Sequence, residues 1–527
     1  MKLDKNGITD KGLWETKGYA MPLFDRERVI NNTLENPAWI HFGAGNIFRA
    51  FHANLAQRLL NEGRMDTGIV VAEGFDTEII DKIYKPHDEL SVLVTLKGDG
   101  SVEKTVVGSV TESLCLDRKR DEDFCRLKKI FASDSLQIAT FTITEKGYSL
   151  SDGKGEIRQD IKSDFEAGPD NTESYLGKVA ALMYHRFVSG KKPIALVSTD
   201  NCSHNGDKLF EAIYSFADNW VKSGKAEKGF ADYLTDKEKV TFPWSMIDKI
   251  TPRPDENVKA LLQNDGLEDT APVVTEKKTY IASFVNAEEC EYLVIEDAFP
   301  NGRPPLEKAG VMFTDRETVE KVERMKVCTC LNPLHTSLAV FGCLLGYTKI
   351  SDEMQDETLK KMVEIIGYKE GLPVVTDPKV INPKKFIDTV INDRLPNPFM
   401  PDTPQRIATD TSQKLAIRFG ETVKNYKKAG LNTDRLKLIP LVFAGWLRYL
   451  SGVDDEGNTF ELSPDPMIPE LLPLIQNKEF EKIISNEKIF GTDLYEAGLA
   501  EKVLSFYEEL NEGKGAVRKT LEKYVRD

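Results

Sequence analysis

The chain has 527 residues, of which 40% are hydrophobic and 29% charged, and its formal net charge is −15. This length exceeds what a single hydrophobic core organises, so two or three domains are expected. The acidic balance argues against nucleic acid or an anionic membrane as the main partner. The polar start and the lack of an apolar run of about 20 residues predict a cytoplasmic protein without a membrane span.

The seven cysteines are scattered and never form a Cys-x-x-Cys pair. This pattern is typical of reduced thiols in a cytosolic protein. Cys328 and Cys330 supply at most half of a metal site, because no second Cys/His pair occurs at zinc-like spacing. We therefore expect no bound metal.

The first part of the chain alternates between strand-like and helical patterns. Residues 1–36 are polar and punctuated by Gly, Asn and Pro, and are interpreted as an N-terminal arm. Strand-like runs follow at residues 38–42, 69–72, 91–96, 136–143 and 193–198, with helical patterns such as 48–60 and 176–187 between them. Such alternation predicts a doubly wound α/β domain.

Beyond about residue 310 the strand signals nearly vanish. Helical patterns occupy residues 332–346, 353–367, 413–429, 434–450, 494–510 and 514–525, and the Pro-rich segments 300–305, 396–404 and 464–473 are interpreted as loops. The sequence thus predicts an α/β Rossmann-like domain with an N-terminal arm over residues 1–310. A mostly α-helical C-terminal domain for the substrate and catalysis is predicted over residues 311–527.

A Gly-rich turn, Gly43-Ala-Gly45, connects the first strand-like run to a helical pattern. Glycines permit a tight turn and close backbone approach, and the following helix directs its N-terminus at a pyrophosphate. The third glycine of the usual fingerprint is absent, since Phe48 occupies its place. Glu73 and Asp76 follow the second strand, and either can bond the adenosine ribose. An acidic group there disfavours a 2′-phosphate, so NAD is favoured over NADP.

Two other enzyme classes share parts of these patterns. A methyltransferase can use the same strand, Gly-rich turn and helix. A short-chain dehydrogenase would use a Tyr-x-x-x-Lys pair, which Tyr233 and Lys237 match. That fold normally has one domain of about half this length, and the match lies in a charged stretch, so we interpret it as coincidental.

A second candidate site is the segment from Lys326 to His335. Asn332 and Pro333 suit the N-cap and first position of a helix, so the six residues before Asn332 are predicted to be extended. Alternation would then place Lys326 and Asn332 on one face, with His335 one turn into the helix. A lysine with suitable neighbours can act as a general base, while Asn and His hold a substrate oxygen. The alternative is an ordinary capped helix after a solvated lysine.

Several ordered motifs extend these two sites. They are Phe42-Gly-Ala-Gly45 with Arg49, Thr144-Glu-Lys-Gly-Tyr148, Asp200-Asn201 with Asn205-Gly206, Met246-Ile-Asp-Lys-Ile-Thr-Pro252, Ile295-Glu-Asp297 with Gly302-Arg-Pro-Pro305, the Lys326 segment, and Arg406 with Ser412-Gln-Lys414. Together they resemble the polyol-specific long-chain dehydrogenase family, which includes mannitol 2-dehydrogenase, fructuronate reductase and tagaturonate reductase. The resemblance runs from about residue 38 to the C-terminal region.

The resemblance implies roles for the candidate residues. Lys326 would be the general base, Asn332 and Asn201 would polarise the reacting oxygen, and His335 would orient a neighbouring hydroxyl. Distal substrate groups would be bound by Arg406 and Lys414, which otherwise belong to a solvated loop. The family spacing is Lys-x4-Asn-x2-His, which would put the lysine at Val327 here. A local shift or bulge is therefore expected between Lys326 and Asn332.

The resemblance also implies the cofactor and the reaction. The expected NAD-binding residues are Gly43, Gly45, Asn46, Ile47, Glu73, Asp76 and Glu145. The expected reaction is metal-independent hydride transfer, with D-fructuronate reduced to D-mannonate as the favoured case. Mannitol 2-dehydrogenase and tagaturonate reductase are alternatives, as is a catalytically silent nucleotide- or carbohydrate-binding protein, which Val327 would favour. The expected partner is a small sugar acid or polyol, with no nucleic acid or membrane partner, and the oligomeric state stays open.

Overall fold

The computed structural model describes residues 1–526, and the chain divides into two compact units. The first unit comprises Met1–Leu96 and Val102–Glu320. The second comprises Lys97–Ser101 and the chain from Lys321 onward.

The first unit is built around a six-stranded parallel sheet. Its strands are β1 (Trp39–Phe42), β2 (Ile69–Glu73), β3 (Val110–Cys115), β4 (Ile138–Phe141), β5 (Ile194–Ser198) and β6 (Val240–Thr241). Their spatial order is β3-β2-β1-β4-β5-β6. This is the order of dinucleotide-binding Rossmann folds, in which the ligand lies beyond the carboxyl ends of the strands where the order reverses.

Alternate residues of the central strands belong to two separate hydrophobic cores. Ile40 and Val70 pack in one cluster, whereas Trp39, Ile69 and Val71 pack in the other. Successive side chains of a strand point to opposite faces, so both faces of this sheet are covered. The longer helices of this unit are Arg26–Glu35, Ala53–Asn61, Asp121–Phe131, Gln159–Ala167, Tyr175–Val188, Asn205–Lys222 and Glu256–Asp265, with shorter ones at Lys11–Thr16 and Phe230–Thr235.

Additional small sheets were not anticipated from the sequence. A four-stranded sheet pairs Tyr19–Ala20, Val102–Val107, Ser91–Leu96 and Phe284–Glu288 in that order, a three-stranded sheet pairs Ser245–Asp248, Tyr292–Glu296 and Met312–Thr314, and Val273–Val274 pairs with Tyr280–Ile281. The predicted strand at residues 91–96 therefore exists but lies outside the central sheet. Strands whose paired residues lie 192 positions apart, as Val92 and Phe284 do (284 − 92 = 192), leave no local sequence signal.

The N-terminal arm is more ordered than the sequence indicated. It contains the helices Lys11–Thr16 and Arg26–Glu35, capped by the side chains of Asp10 and Asp25. Trp14 is completely buried and its indole N–H donates to the carbonyl oxygen of Gly7 at 2.9 Å. The arm is thus an integral part of the first unit.

The second unit is helical, and its described residues form no sheet. Its helices of seven or more residues are Asn332–Leu344, Glu357–Glu364, Pro383–Thr389, Glu421–Lys428, Leu438–Tyr449, Ile468–Gln476, Ala500–Leu510 and Ala516–Arg526, with π-helical turns at Lys326–Cys330, Ile365–Gly371, Val390–Arg394 and Ala416–Gly420. The Pro-rich segment 464–473, predicted as a loop, is partly helical, since Ile468–Gln476 contains Pro473.

One helical stretch, Arg316–Leu344, is long and apolar enough to span a membrane by length and composition. Its most apolar window is 78% buried inside the protein. A core helix can have the same length and composition as a membrane helix. Burial on this scale is typical of a core helix.

Candidate active site

The Gly-rich turn after β1 has the backbone geometry of a nucleotide-binding loop. Gly43 has a φ of +112°, and a Cβ there would lie 2.3 Å from the carbonyl oxygen of Thr142. A Cβ on Gly45 would meet no atom within 4 Å, so this position faces open space. The first glycine is therefore required by the protein itself, and the second leaves room for a ligand to approach the backbone.

A cavity of about 520 Å³ opens beside this turn, within the first unit. Its walls include Gly43, Gly45, Glu73, Asp76, Phe75 and Tyr175. It lies at the carboxyl ends of β1 and β2, the position predicted for a dinucleotide in this sheet order. Asn46 and Ile47 form the first turn of the helix that follows, and the Oδ1 of Asn46 is buried without a hydrogen-bond partner among the described residues.

Glu73 holds the Gly-rich turn in place. Its carboxylate accepts hydrogen bonds from the backbone N–H groups of Ala44 at 2.7 Å, Phe75 at 2.7 Å and Asp76 at 3.1 Å. Burial raises the pKa of this carboxyl above its usual value, although the three N–H donors oppose the shift. Because its oxygens already have partners, Glu73 is better placed to position the loop than to bind a ribose.

Asp76 is the better placed of the two acidic candidates for ribose binding. Its Oδ2 accepts a hydrogen bond from the hydroxyl of Thr275 at 2.6 Å, which fixes the side chain at the cavity wall. The sequence left Glu73 and Asp76 as equal alternatives. Their side-chain contacts differ, since Glu73 holds the loop through three backbone N–H groups, whereas ribose binding by Asp76 stays a prediction.

The turn after β4 forms the opposite wall of the cavity. Thr144 has a φ of +64° and a ψ of 158°, a region that is essentially restricted to glycine. Asp200 holds this strained turn by accepting from the N–H of Thr144 at 2.9 Å and from the hydroxyl of Tyr148 at 2.5 Å. Tyr148 and Asp200 belong to the sequence motifs above, but their contact was not predicted, because residues 52 positions apart leave no local signal of pairing.

Glu145 points away from the nucleotide cavity. Its side chain is 65% exposed and its Oε1 lies 2.6 Å from the Nζ of Lys208. Both residues line a second cavity of about 380 Å³, whereas Lys146 and Gly147 line the larger one. A role of Glu145 in cofactor binding therefore stays a prediction, and its neighbours are the residues that face the cavity.

Asn201 lies in an exposed loop between β5 and the helix Asn205–Lys222. The loop is anchored by Asn205, whose Nδ2 donates to the carbonyl oxygen of Asp200 at 3.1 Å and to that of Ser245 at 3.0 Å. Asn201 thus follows directly on the aspartate that holds the Thr144 turn. This places a side-chain amide at the carboxyl end of the central sheet.

In the second unit, the segment before Asn332 is helical, so the prediction of an extended approach was wrong. The helix Arg316–Met325 continues into a π-helical turn, Lys326–Cys330, in which the N–H of Leu331 donates to the carbonyl oxygen of Lys326 at 3.1 Å. Pro333 lacks an N–H and cannot continue the regular bonding pattern. The chain passes this defect by widening one turn and does not unwind.

Asn332 is the first residue of the helix Asn332–Leu344 and Leu331 takes the cap position, so the predicted N-cap role of Asn332 was also wrong. Asn332 and His335 are three residues apart on this helix and therefore share a face. Lys326 is only 4% exposed. The π turn is a bulge of the kind that the one-residue difference in spacing required.

His335 is neutral at ordinary pH. Burial, followed by the charges of Arg418, Arg406, Arg394 and Lys414, lowers its pKa to about 3. Its Nε2 lies 3.4 Å from the Oδ2 of Asp402, too far for a good hydrogen bond. A neutral imidazole of this kind can orient a hydroxyl without carrying a charge.

Arg406 and Lys414, the two predicted substrate-binding residues, are close enough to His335 for their charges to affect it. The guanidinium of Arg406 pairs with Asp402, and its side chain is 60% exposed. The ammonium of Lys414 donates to the carbonyl oxygen of Thr409, and burial lowers its pKa. The second unit therefore brings these two residues and His335 into one region.

Within residues 1–526, no group of three or more His, Cys, Asp or Glu side chains is arranged to hold a metal ion.

The short-chain dehydrogenase alternative lacks structural support. Tyr233 is buried in a helix, and its hydroxyl donates to the carbonyl oxygen of Lys192 at 2.6 Å.

Comparison with known proteins agrees with this architecture. The mannitol dehydrogenase Rossmann domain matches residues 37–308, and the mannitol dehydrogenase C-terminal domain matches residues 318–511. The chain belongs to the mannitol dehydrogenase family. The resemblance inferred from the motifs is confirmed, as is the fold class, an α/β Rossmann-like domain followed by a mostly helical one.

Relatives within this family match along the full length. The D-mannonate oxidoreductase of Thermotoga maritima is 53% identical, with 100% of this chain and 99% of the relative covered. A D-sorbitol dehydrogenase in substrate-free form is 26% identical, with 98% of this chain and 100% of that chain covered and a TM-score of 0.81. The Pseudomonas fluorescens mannitol 2-dehydrogenase, solved as a ternary complex with NAD and D-mannitol, is 26% identical with a TM-score of 0.69, and 100% of both chains is covered.

Proposed function

We propose that this protein is an NAD-dependent oxidoreductase that interconverts D-fructuronate and D-mannonate. The observation that carries the proposal is the 53% identity to a D-mannonate oxidoreductase over the whole length of both proteins. The family context agrees, since mannitol 2-dehydrogenases act on the same type of CH–OH group. We also propose a cytoplasmic location, with which the seven free cysteines are compatible.

The cofactor site that we propose is the cavity beside the Gly-rich turn. Gly45 leaves room for a pyrophosphate at the N-terminus of the helix that begins at Asn46. The carboxylate of Asp76 faces the cavity, where it would accept hydrogen bonds from ribose hydroxyls and repel a 2′-phosphate. These features fit NAD in size, charge and hydrogen bonding.

The catalytic residues that we propose in the helical unit are Lys326, Asn332 and His335. When bound, NAD supplies the hydride acceptor for oxidation and, as NADH, the hydride donor for reduction. During oxidation, the amine of Lys326 takes the hydroxyl proton, and during reduction its ammonium returns that proton to the carbonyl oxygen. The amide of Asn332 would donate a hydrogen bond to the developing alkoxide. The same role for Asn201, which belongs to the first unit, stays a prediction.

His335 and two cations complete the proposed assignment. The neutral imidazole of His335 orients a hydroxyl next to the reacting carbon, because its low pKa excludes a proton at working pH. Arg406 and Lys414 bind substrate groups remote from that carbon. Each step needs only a base, hydrogen-bond donors and the cofactor, so no metal is required.

A substrate panel tests the proposal. NADH absorbance is followed with D-fructuronate, D-tagaturonate and D-fructose, before and after prolonged treatment with a chelator. We expect kcat/KM for D-fructuronate to exceed that for the other two by about 100-fold or more, since a site built for one set of polar groups rejects analogues. Chelation should have no effect.

The other outcomes identify the alternatives. A preference for D-fructose would indicate a mannitol 2-dehydrogenase, and a preference for D-tagaturonate a tagaturonate reductase. No NADH oxidation with any of these sugars would favour a catalytically silent binding protein. Loss of activity on chelation that zinc restores would contradict the metal-free mechanism.

A further inference from the structure

A group of positively charged side chains surrounds His335 within the helical unit. Besides Arg406 and Lys414, it includes Arg394 and Arg418, to which sequence analysis gave no role. All four charges lower the pKa of His335 and so act on the same small region. The partners of each cation decide which of them still has capacity for a ligand.

Arg406 and Lys414 already have partners in the protein. Arg406 pairs with the carboxylate of Asp402, and Lys414 donates to the carbonyl oxygen of Thr409. The same Asp402 approaches His335 through its other oxygen, at 3.4 Å from Nε2. One carboxylate therefore partly neutralises this side of the group.

Arg418 has a different environment. Its Nη1 donates to the hydroxyl of Thr336, the residue that follows His335 on the helix Asn332–Leu344. Among residues 1–526, Arg418 forms no ion pair with a carboxylate, and the Thr336 hydroxyl is the one hydrogen-bond acceptor of its guanidinium. Burial alone lowers its pKa to about 10. A guanidinium has five N–H donors, so most of its capacity is unused.

Three other arginines of the helical unit have acceptors within the protein. Arg518 and Arg324 pair with Asp356 and Glu421, at 2.7 Å and 2.6 Å. Arg448 is buried, but its guanidinium donates to the backbone oxygens of Val453 and Asp454 and to a serine hydroxyl. These arginines stabilise the unit through acceptors of its own. Arg418 is partly buried and has no anionic partner among the described residues, an arrangement that an anionic ligand would make more favourable.

We propose that Arg418, held by Thr336 next to His335, binds the carboxylate of the substrate and so selects sugar acids over uncharged sugars. This inference rests on the proposed function, because it needs a substrate with a carboxylate. Arg and carboxylate form two parallel charge-assisted hydrogen bonds with a fixed geometry. Arg394, only 6% exposed, adds positive potential to the same region. A neutral ketose would leave the desolvated guanidinium without its partner.

The test compares a sugar acid with a neutral sugar in the same variants. Arg418→Met removes the charge and keeps much of the volume, whereas Arg418→Lys keeps the charge but loses the two-pronged geometry. Arg435→Met, at an exposed arginine of the same unit, is the matched control. Initial rates are measured with D-fructuronate and D-fructose, and binding of D-mannonate is measured by calorimetry. NADH binding and thermal unfolding report whether each variant is folded.

We expect Arg418→Met to lower kcat/KM for D-fructuronate by about 30-fold or more, which is the scale for losing hydrogen bonds to a charged group. The loss should appear mainly in KM, with D-mannonate binding weakened in parallel. The rate with D-fructose should be unchanged or higher. Arg418→Lys should recover part of the loss, and Arg435→Met should match wild type.

Equal losses with both sugars, or an unchanged preference for the acid, would overturn the proposal. So would a variant that only lowers the melting temperature, since that would show a purely structural arginine. Failure of the proposed function gives a separate result: the wild-type protein itself would not turn over D-fructuronate or bind D-mannonate.

Discussion

The backbone N–H of Leu331 donates to the carbonyl oxygen of Lys326 at 3.1 Å, which closes a turn one residue wider than that of an α-helix. Within the widened turn, the carbonyl oxygen of Cys328 accepts a hydrogen bond from the hydroxyl of Thr422 at 3.3 Å. One extra residue is thereby absorbed inside the helix. Residues before and after the turn are therefore oriented relative to each other as they would be in a regular α-helix with one residue fewer between them. Lys326 can then serve as the family base even though Val327 stands at the family position.

Deleting Val327 should therefore be tolerated. The wide turn can close as a regular α-turn, and the spacing becomes Lys-x4-Asn. We expect the melting temperature to fall by only a few degrees, with activity kept within about 10-fold, since a change of about 1 kcal/mol shifts the melting temperature of a large domain by roughly 2–4 °C. The control is deletion of Ala339, in the regular helix, which rotates every later residue by about 100° and should abolish folding. Equal damage from both deletions would contradict the bulge interpretation.

Lys326→Ala should lower kcat by about 100-fold or more, the usual effect of losing a general acid or base. NADH affinity should barely change, because the amine acts on the substrate oxygen. Single-turnover rates and fluorescence titration with NADH separate the two quantities. If activity and its pH profile were retained, Lys326 would not be the base, and Lys414 or His335 would become the candidates.

Asp76→Asn should weaken NADH binding, because a ribose acceptor is lost. The preference for NADH over NADPH should fall by about 10-fold or more, because the repulsion of a 2′-phosphate is removed. Asp134→Asn, at a side chain that is 87% exposed, provides the control. Dissociation constants for both cofactors are measured for each variant. Wild-type protein that already prefers NADPH would show that the acidic residues have been misinterpreted.

Glu73→Gln tests the pH dependence expected from the buried carboxyl. Burial raises the pKa of Glu73 above 4.5, so the folded state holds this proton more tightly than the unfolded state does. The free energy of unfolding of the wild type should therefore fall, relative to the variant, as the pH rises from about 4.5 through the raised pKa. Urea unfolding at several pH values measures the difference. A constant difference between the two proteins across this range would contradict the assignment.

Local patterns were sufficient to predict the elements that position the cofactor. The Gly-rich turn, the strand ending at Glu73 and the long helices after residue 310 each have a short-range signal, because periodicity and turn chemistry are local. The family motifs then supplied residue roles that spacing alone left open. The helical form of the segment before Asn332 was missed, because Pro333 was taken to mark the start of a helix.

Contacts between distant parts of the chain were the main omission. Asp200 and Tyr148, or Arg418 and Thr336, meet only after folding, and each residue alone resembles an ordinary polar position. The same applies to the small sheets, whose strands pair across large sequence separations. The absence of a carboxylate partner among the described residues, which distinguishes Arg418 from Arg406 and Arg324, likewise cannot be deduced from a single sequence.

The strained conformation of Thr144 has a consequence for how the protein meets its cofactor. A conformation of this kind costs about 1–3 kcal/mol, and hydrogen bonds to Asp200, a group of the protein itself, hold the turn in it. We therefore expect this wall of the cavity to keep its shape independently of the nucleotide. Cofactor binding then requires little ordering of the turn. We therefore expect the entropy of binding to be dominated by released water, and the association rate by diffusion and shape complementarity. In this respect the Rossmann unit offers a preorganised binding site.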